Sequence, residues 1–391
     1  MAWSVDWDNG FVVGGDGHLR LTPSFRLKEF QRSDGTTRVH RELVSALQLL
    51  RDRFGQPLSV RRTDPDGLGA VVAAQQAAEL IATAARVRGL FESVVPQHDG
   101  LEVRIPDPQS LPAIDLEQAL ETAFSVTAAF ETAGDKFQQI TGNFDGAGLS
   151  FGPAQVNFKS GTLVPVFRAF MAADEASLRA CFTDRDDYQE WLQVLESPVS
   201  QQIQWANGVT TGRGGHDVIE PWKTSLRAVG RVERFRAIMV ERILREYGKK
   251  TVSAMQALQT LRPAIDIDHL RCVCSLYDLV IQQGSLDKAW PAIEARVERE
   301  NPQDQFALTR IAVEERGRKA LQAWRADAVS RRLGILTGVP TTVASRQRAN
   351  INFYMLRDVR VRGARELMNA DVSAQLARVS QALASGSSLL A

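Results

Sequence analysis

The stretch PDPQSLPAID, residues 106–115, separates two hydrophobic rhythms in the chain. Pro106, Pro108 and Pro112 each fix φ and lack a backbone N–H, so neither a helix nor a central strand runs through them. A boundary is expected there, with residues 1–105 as one module, 106–113 as a proline-rich linker and 114–391 as a second domain. Before the linker, short β-like runs (GFVV, HLRLT, PLSVRR, LEVRIP) mix with two helical segments, 37–54 and 69–90. Val39, Leu43, Leu47 and Leu50 recur at three- and four-residue steps, the mark of one buried helical stripe. After the linker, Asp115 and Gln118 have the spacing of an N-cap and its reciprocal partner. They open a helix whose apolar face, Leu116, Leu120, Phe124 and Ala128, ends at Glu131. From residue 164 onward the pattern is almost wholly helical, with segments expected near 175–207, 217–249, 252–261, 267–283, 288–333 and 341–381. The expected class is α+β, mostly α: a small α+β N-terminal module followed by a large α-rich domain.

The chain's 391 residues, 44% of them hydrophobic, suffice for two cores. Lysine and arginine (47) nearly balance aspartate and glutamate (46), so no nucleic-acid partner is expected. The excess is local: 14 Arg and Lys stand against 7 Asp and Glu from residue 301 on, including RDVRVRGAR at 357–365. Such a run is more often a solvated helix face than a polyanion site. Three cysteines, Cys181, Cys272 and Cys274, are too few and too odd in number for a disulfide framework. The opening residues lack a basic start followed by an apolar block, and no apolar run reaches about 18 residues. The expectation is synthesis in the cytoplasm without a signal peptide, no membrane partner, and a separate delivery route for any work outside the cell.

Between 135 and 163 the helical rhythm gives way to Thr, Phe, Asn, Asp and five glycines, a turn or short β-hairpin pattern. The negative end of a helix dipole disfavours a carboxylate, and Phe124 and Phe130 add apolar surroundings, so Glu131 is expected to hold its proton. Asp145, in NFDGAG, is expected in an exposed turn where free amides favour the ionised form. Two acids in opposed environments are what a glycosidase needs for its acid and base. Gln155 and Asn157 add amides suited to sugar hydroxyls and N-acetyl groups. The plainer alternative is a helix-terminal glutamate followed by an ordinary Asp-Gly turn.

NFDGAGLSFGPAQ resembles the catalytic turn of the bacterial chitosanases, a branch of the lysozyme-like superfamily. In that family a glutamate ending a helix is followed by Asp-Gly-x-Gly-x-Thr-x-Gly on a hairpin. Asp145, Gly146, Gly148, Ser150 and Gly152 match the pattern, with Ser in place of Thr. IDIDHLRCVCSLYDLVIQQGSLDKA, at 265–289, is similar to the chitosanase core helix, through Tyr277, Asp278, Gln283 and Gly284. The resemblance spans about residues 114–300 and implies a lysozyme-like glycosidase domain with a short β-hairpin at its active site. It implies that Glu131 is the general acid, that Asp145 is the general base, and that Ser150 helps to position the water. Gln155, Asn157, Tyr277 and Asp278 would bind substrate, and the reaction would invert the anomeric centre with the carboxyls about 6.5–9.5 Å apart. Only 14 positions separate Glu131 from Asp145, a short interval for a chitosanase. GLSFGPAQVNF also resembles the Gly-x-x-Gln stretch of lytic transglycosylases and goose-type lysozymes. All of these point to a β-1,4-linked aminosugar polymer, peptidoglycan first and chitosan as the alternative.

Residues 25–62, with FRLKEF before a leucine-rich helix, look like the start of the zinc D-Ala-D-Ala carboxypeptidases, and GLEVRIPDP like their closing strand. That family's zinc ligands are missing: none of His18, His40, His98, His216 and His269 has an aspartate seven positions on, and Gly100 stands in place of the closing histidine. The module is therefore expected to be a degenerate peptidase fold that binds wall peptides or serves as a scaffold, with no metal and no cofactor. Cys272 and Cys274 are expected in the core. GVTTGRGGHD, at 208–217, lacks the Lys-Ser/Thr ending of a phosphate loop and is expected to border the sugar cleft. Trp205 and Trp222 are candidates for sugar stacking, although tryptophans at helical spacing more often lie in a core. The resulting expectation is an antibacterial, bacteriolytic muramidase-like enzyme. It would reach the cell wall by phage particle, lysis or contractile secretion apparatus, with an immunity protein as a possible partner. The rival reading is a non-catalytic wall-binding or structural protein.

Overall fold

The computed structural model describes residues 5–8, 10–22, 24–54, 56–75, 77–86, 90–98, 100–108, 113–131, 136–338 and 356–362. The described residues fold as an α+β protein dominated by helices, as the sequence pattern indicates. They divide into two compact units, 1–127 with 247–376, and 128–246, and the divisions fall inside two helices.

The first unit begins with a three-stranded antiparallel sheet of β1 (Val5–Asp8), β2 (Phe11–Gly15) and β3 (Val39–His40). Helix α1 (Arg41–Phe54) follows, then β4 (Ser59–Thr63), β5 (Gly69–Ala73), α2 (Ala77–Arg86), β6 (Ser93–Gln97) and β7 (Gly100–Arg104). The last four strands form one antiparallel sheet in the order β4-β5-β7-β6. Of the expected stripe, Leu43, Leu47 and Leu50 lie wholly buried on α1 and Val39 wholly buried just before it in β3, within a hydrophobic core drawn from residues 12–105. The helical reading of 69–90 needs correction at its start. GAVVA is buried at every position and pairs on both sides, so its apolar run is a central strand, and the helix begins at Ala77. HLRLT contributes only an isolated bridge at Arg20.

The same unit holds most of α3 (Leu116–Glu131), the later part of α8 (Glu233–Leu261), α9 (Leu270–Gln283), α10 (Trp290–Glu300), α11 (Gln305–Arg318) and α12 (Gln322–Thr337). The α3 cap forms as its sequence implies: Gln118 N–H donates to Asp115 Oδ1 (2.8 Å), and Asp115 N–H donates to Gln118 Oε1 (3.2 Å). Helix α9 is buried at Leu270 and at every position from Cys272 to Val280, and it packs on α11 and α12. Cys272 and Cys274 lie in this core, and burial pushes the Cys272 thiol up to about 12. Residues 356–362 tie the start of α9 to α1. Arg357 pairs with buried Glu42 of α1 (3.1 Å), and Asp358 takes His269 Nε2 (2.6 Å) and Arg271 (3.0 Å) at the start of α9. The His269 hydrogen bond, with the Arg271 charge, holds the Asp358 carboxyl well below the usual range. The single helix expected at 288–333 is three, broken at Asn301, which adopts φ 45°, and again after Arg318. The segment expected at 341–381 lies outside the described residues apart from 356–362.

The second unit opens with β8 (Ile140–Thr141), β9 (Ser150–Phe151) and β10 (Val156–Asn157), an antiparallel sheet with β9 in the middle. Helices α4 (Leu163–Ala180), α5 (Arg185–Glu196) and α6 (Val199–Val209) follow, so the helix expected at 175–207 is three segments starting earlier. A small hairpin of β11 (Thr210–Thr211) and β12 (Asp217–Val218) leads to α7 (Trp222–Val229) and the first half of α8. Aromatic rings fill its core: Phe151 meets Phe167 and Phe235 edge-on at 5.8 and 5.4 Å, and Trp191 meets Phe167 at 4.8 Å. Rings 4.5–7 Å apart in such edge-to-face contacts exceed the value of their buried area alone.

Candidate active site

The sheet β8–β10 is a frame for one loop. Its register pairs Thr141 with Ser150 and Ser150 with Asn157, and Phe151 anchors the middle strand in the aromatic core. Gly152 N–H donates to Gln139 O (2.8 Å) and Lys159 N–H to Ala147 O (3.0 Å), closing the frame around residues 142–149.

Asp145 sits exposed at the tip of that loop. Its Oδ1 accepts the Ala147 N–H (3.0 Å), an Asx turn that fixes the carboxylate relative to the backbone. Asn143 clamps the loop from within, its Oδ1 accepting the Gly148 N–H (2.7 Å). Gly148 adopts φ 82°, and a Cβ there would meet the Phe158 ring at 2.9 Å, which explains glycine at this position.

A second hairpin holds the loop from its other side. Asn143 N–H donates to Thr210 Oγ1 (2.9 Å), and its Nδ2 donates to Asn207 Oδ1 (2.6 Å) at the end of α6. The backbones approach so closely that a Cβ on Gly142 would lie 2.6 Å from the Asp217 carbonyl oxygen. Beside Asp145, the Phe144 ring stacks on the His216 imidazole, with centroids 4.3 Å apart and planes 25° from parallel. Lys223 hydrogen-bonds Asp217 (2.8 Å) and thereby holds its carboxyl below the usual range. The GVTTGRGGHD stretch is thus a short hairpin braced against the Asp145 loop. Sequence reading marked its glycines and a border position but missed the Thr210 and His216 contacts, which only pairing between distant segments creates.

The other sequence-selected residues fall into three groups. Glu131 is the last residue of α3, as its position predicts, and its side chain lies outside the described residues. Ser150, Gln155 and Asn157 share the frame with Asp145. Ser150 is buried on β9. Gln155, held at φ 50°, donates its amide to Gly152 O (3.1 Å). The Asn157 amide donates to Gln155 O (3.1 Å) and its Oδ1 accepts the Ser160 N–H (2.8 Å). Both amides therefore shape the turn that carries them. Tyr277 and Asp278 lie in the first unit with no exposed surface. Asp278 is clasped by Arg331 and by Arg332 (3.2 Å) of α12, and burial pushes the Arg332 guanidinium down to about 10. Both residues are buried within the helix packing of this structure. Trp222 is core, whereas half-buried Trp205 meets it edge-on at 4.9 Å and donates to Glu190 (2.5 Å).

No family model matches the chain, and no curated protein is significantly similar to it. Two solved structures align with it: a native chitosanase from Bacillus subtilis MY002 (14% identity, TM-score 0.40) and a mutant of that chitosanase complexed with 6 GlcN (12%, TM-score 0.39). Each alignment covers 58% of this chain and 88% of the other.

Proposed function

We propose that this protein is a glycoside hydrolase that cuts β-1,4 bonds in an aminosugar polymer, with cell-wall peptidoglycan as the substrate. The observation that carries the reading is the placement of Asp145: an exposed carboxylate on a loop fixed by Asn143 and Thr210, 14 residues after a helix that ends on a glutamate. Glu131 gives its proton to the glycosidic oxygen as the bond from the anomeric carbon to that oxygen breaks. Asp145 takes a proton from a water whose oxygen bonds to the anomeric carbon from the opposite face. Glu131 ends ionised and Asp145 protonated, exchange with solvent resets both, and the product is inverted. Ser150 acts through the β9 backbone that sets the loop. The N-terminal module serves as a wall-peptide binding unit, and the protein works on the wall after delivery from the cytoplasm.

The test is incubation with peptidoglycan sacculi and mass analysis of what is released. Reducing muropeptides are expected, and Glu131→Gln should abolish them. Anhydro-sugar ends would replace hydrolysis with lytic transglycosylation. Release from chitosan alone would make the enzyme a chitosanase, and retention on sacculi without release would leave a binding protein.

A further inference from the structure

We infer that Phe144 and His216 form a carbohydrate-stacking platform beside Asp145, a subsite that packs one pyranose ring of the polymer against the loop. The inference rests on the hydrolase reading for its ligand class and on separate observations for its place. Phe144 keeps 46% of its surface exposed, a large apolar area on a loop that otherwise displays polar groups and glycine. An aromatic side chain in such a loop is normally tucked into a core, as Phe151 and Phe158 are in the adjoining strands and turn. Here the ring is instead supported from one side by a stacked imidazole at 4.3 Å, which fixes its plane without covering it.

The support is built from both hairpins. Gly215 packs against the Phe144 backbone, where an added Cβ would stand 3.4 Å from the Phe144 Cα, and Gly142 N–H donates to His216 O (3.4 Å). The ring is therefore held at two backbone points and one stacking contact, with the cost of ordering it met in the free protein. Around it the surface is polar: Asn207, Thr211 and Arg213 are exposed, and the Asp145 carboxylate is the next residue in the chain. A rigid aromatic face ringed by hydrogen-bonding groups fits a β-linked pyranose, whose axial C–H bonds make one face apolar while its hydroxyls point outward. A ring stacked on Phe144 would bring the adjoining glycosidic bond toward Asp145, so the platform would set where the polymer is cut.

The experiment measures binding in an Asp145→Asn background, with soluble hexasaccharides of β-1,4-linked N-acetylglucosamine and of glucosamine as probes. Phe144→Ala is expected to raise Kd about tenfold for both, Phe144→Trp to retain binding, and His216→Ala to raise Kd about threefold, since it removes the support and leaves the ring. The imidazole proton resonances of His216, under the Phe144 ring current, should shift as saccharide is added. A stack that merely closes the two hairpins predicts something else: a lowered Tm for Phe144→Ala, unchanged Kd, and no saccharide-dependent shift. That result overturns the platform, as does an absence of hexasaccharide binding at millimolar concentration. The two readings fail separately. No release from sacculi or chitosan by the wild-type protein, with hexasaccharide binding still dependent on Phe144, removes the hydrolase and keeps the platform. Turnover lost in Asp145→Asn, with binding indifferent to Phe144, does the reverse.

Discussion

Asp145 and Asp278 are both aspartates that their motifs mark for the site, yet the structure gives them opposite lives. Asp145 is exposed, its near oxygen occupied by one backbone N–H of its own turn. Asp278 has no exposed surface and faces two guanidiniums. A solvated carboxylate costs nothing to keep charged and is available for chemistry, whereas a buried one exists only because its charge is matched. Motif spacing reports identity and order along the chain but not which side of a helix the core takes.

The comparison is sharpened most by Asp145→Asn. It should lower turnover on sacculi by about 10²–10⁴ and leave Tm within a degree or two, because no core contact is lost. Unchanged turnover would put Asp145 on the same footing as any surface turn. Asp278→Ala should do the opposite, leaving Arg331 and Arg332 buried without their anion and costing about 3–5 kcal/mol in denaturant unfolding. If that variant unfolds at the wild-type midpoint, the ion cluster contributes nothing and the contrast between the two aspartates is empty.

Histidines divide in the same way. His216 is exposed on the candidate site, while His40 is buried in the first unit, edge-on to Phe11 at 4.7 Å, with its Nδ1 accepting the Glu42 N–H. Burial, reinforced by the Arg41 charge, lowers His40 from 6.5 to about 4. The unfolded chain takes up a proton at pH values where the folded chain refuses it. Stability is thus full above about pH 6.5 and declines as pH falls through 4, by about 3 kcal/mol in all from this group. Thermal melts of wild type and His40→Gln between pH 7 and 4.5 should converge as the pH drops. Parallel curves would show that the histidine is not held neutral.

How far the sequence reached follows from what each signal encodes. The α3 cap, the α1 stripe and the glycine turn at 146–152 are local, and their residues carry them in full. GAVVA misleads because an unbroken apolar run fits a buried helix as well as a central strand, and only its two neighbouring strands decide. The long helical tracts break after Ala180, after Glu196, at Asn301 and after Arg318, where packing overrides a continuous rhythm. Within the candidate site, Asp145 was legible from its turn chemistry. His216 and Thr210 were not, because they lie more than 60 positions downstream and meet the loop only through the second hairpin.

The smallest effect tests the buried side of the comparison at its least charged member. Tyr277, next to Asp278, is wholly buried, and its hydroxyl has no hydrogen-bond partner among the described residues. Burial pushes that phenol well above its ordinary range, so it stays neutral at any pH the fold survives. An unpaired buried hydroxyl carries a desolvation cost that folding does not recover, and removing it while keeping the ring leaves the packing intact. Tyr277→Phe should therefore be neutral or stabilising by up to about 1 kcal/mol, read as a small rise in the denaturation midpoint with an unchanged slope. It should leave hexasaccharide binding where it was. If instead Tyr277→Phe weakens saccharide binding with no change in stability, the hydroxyl reaches a ligand through a conformation in which α9 is exposed. That result would support the sugar-binding role implied for Tyr277 by the chitosanase resemblance.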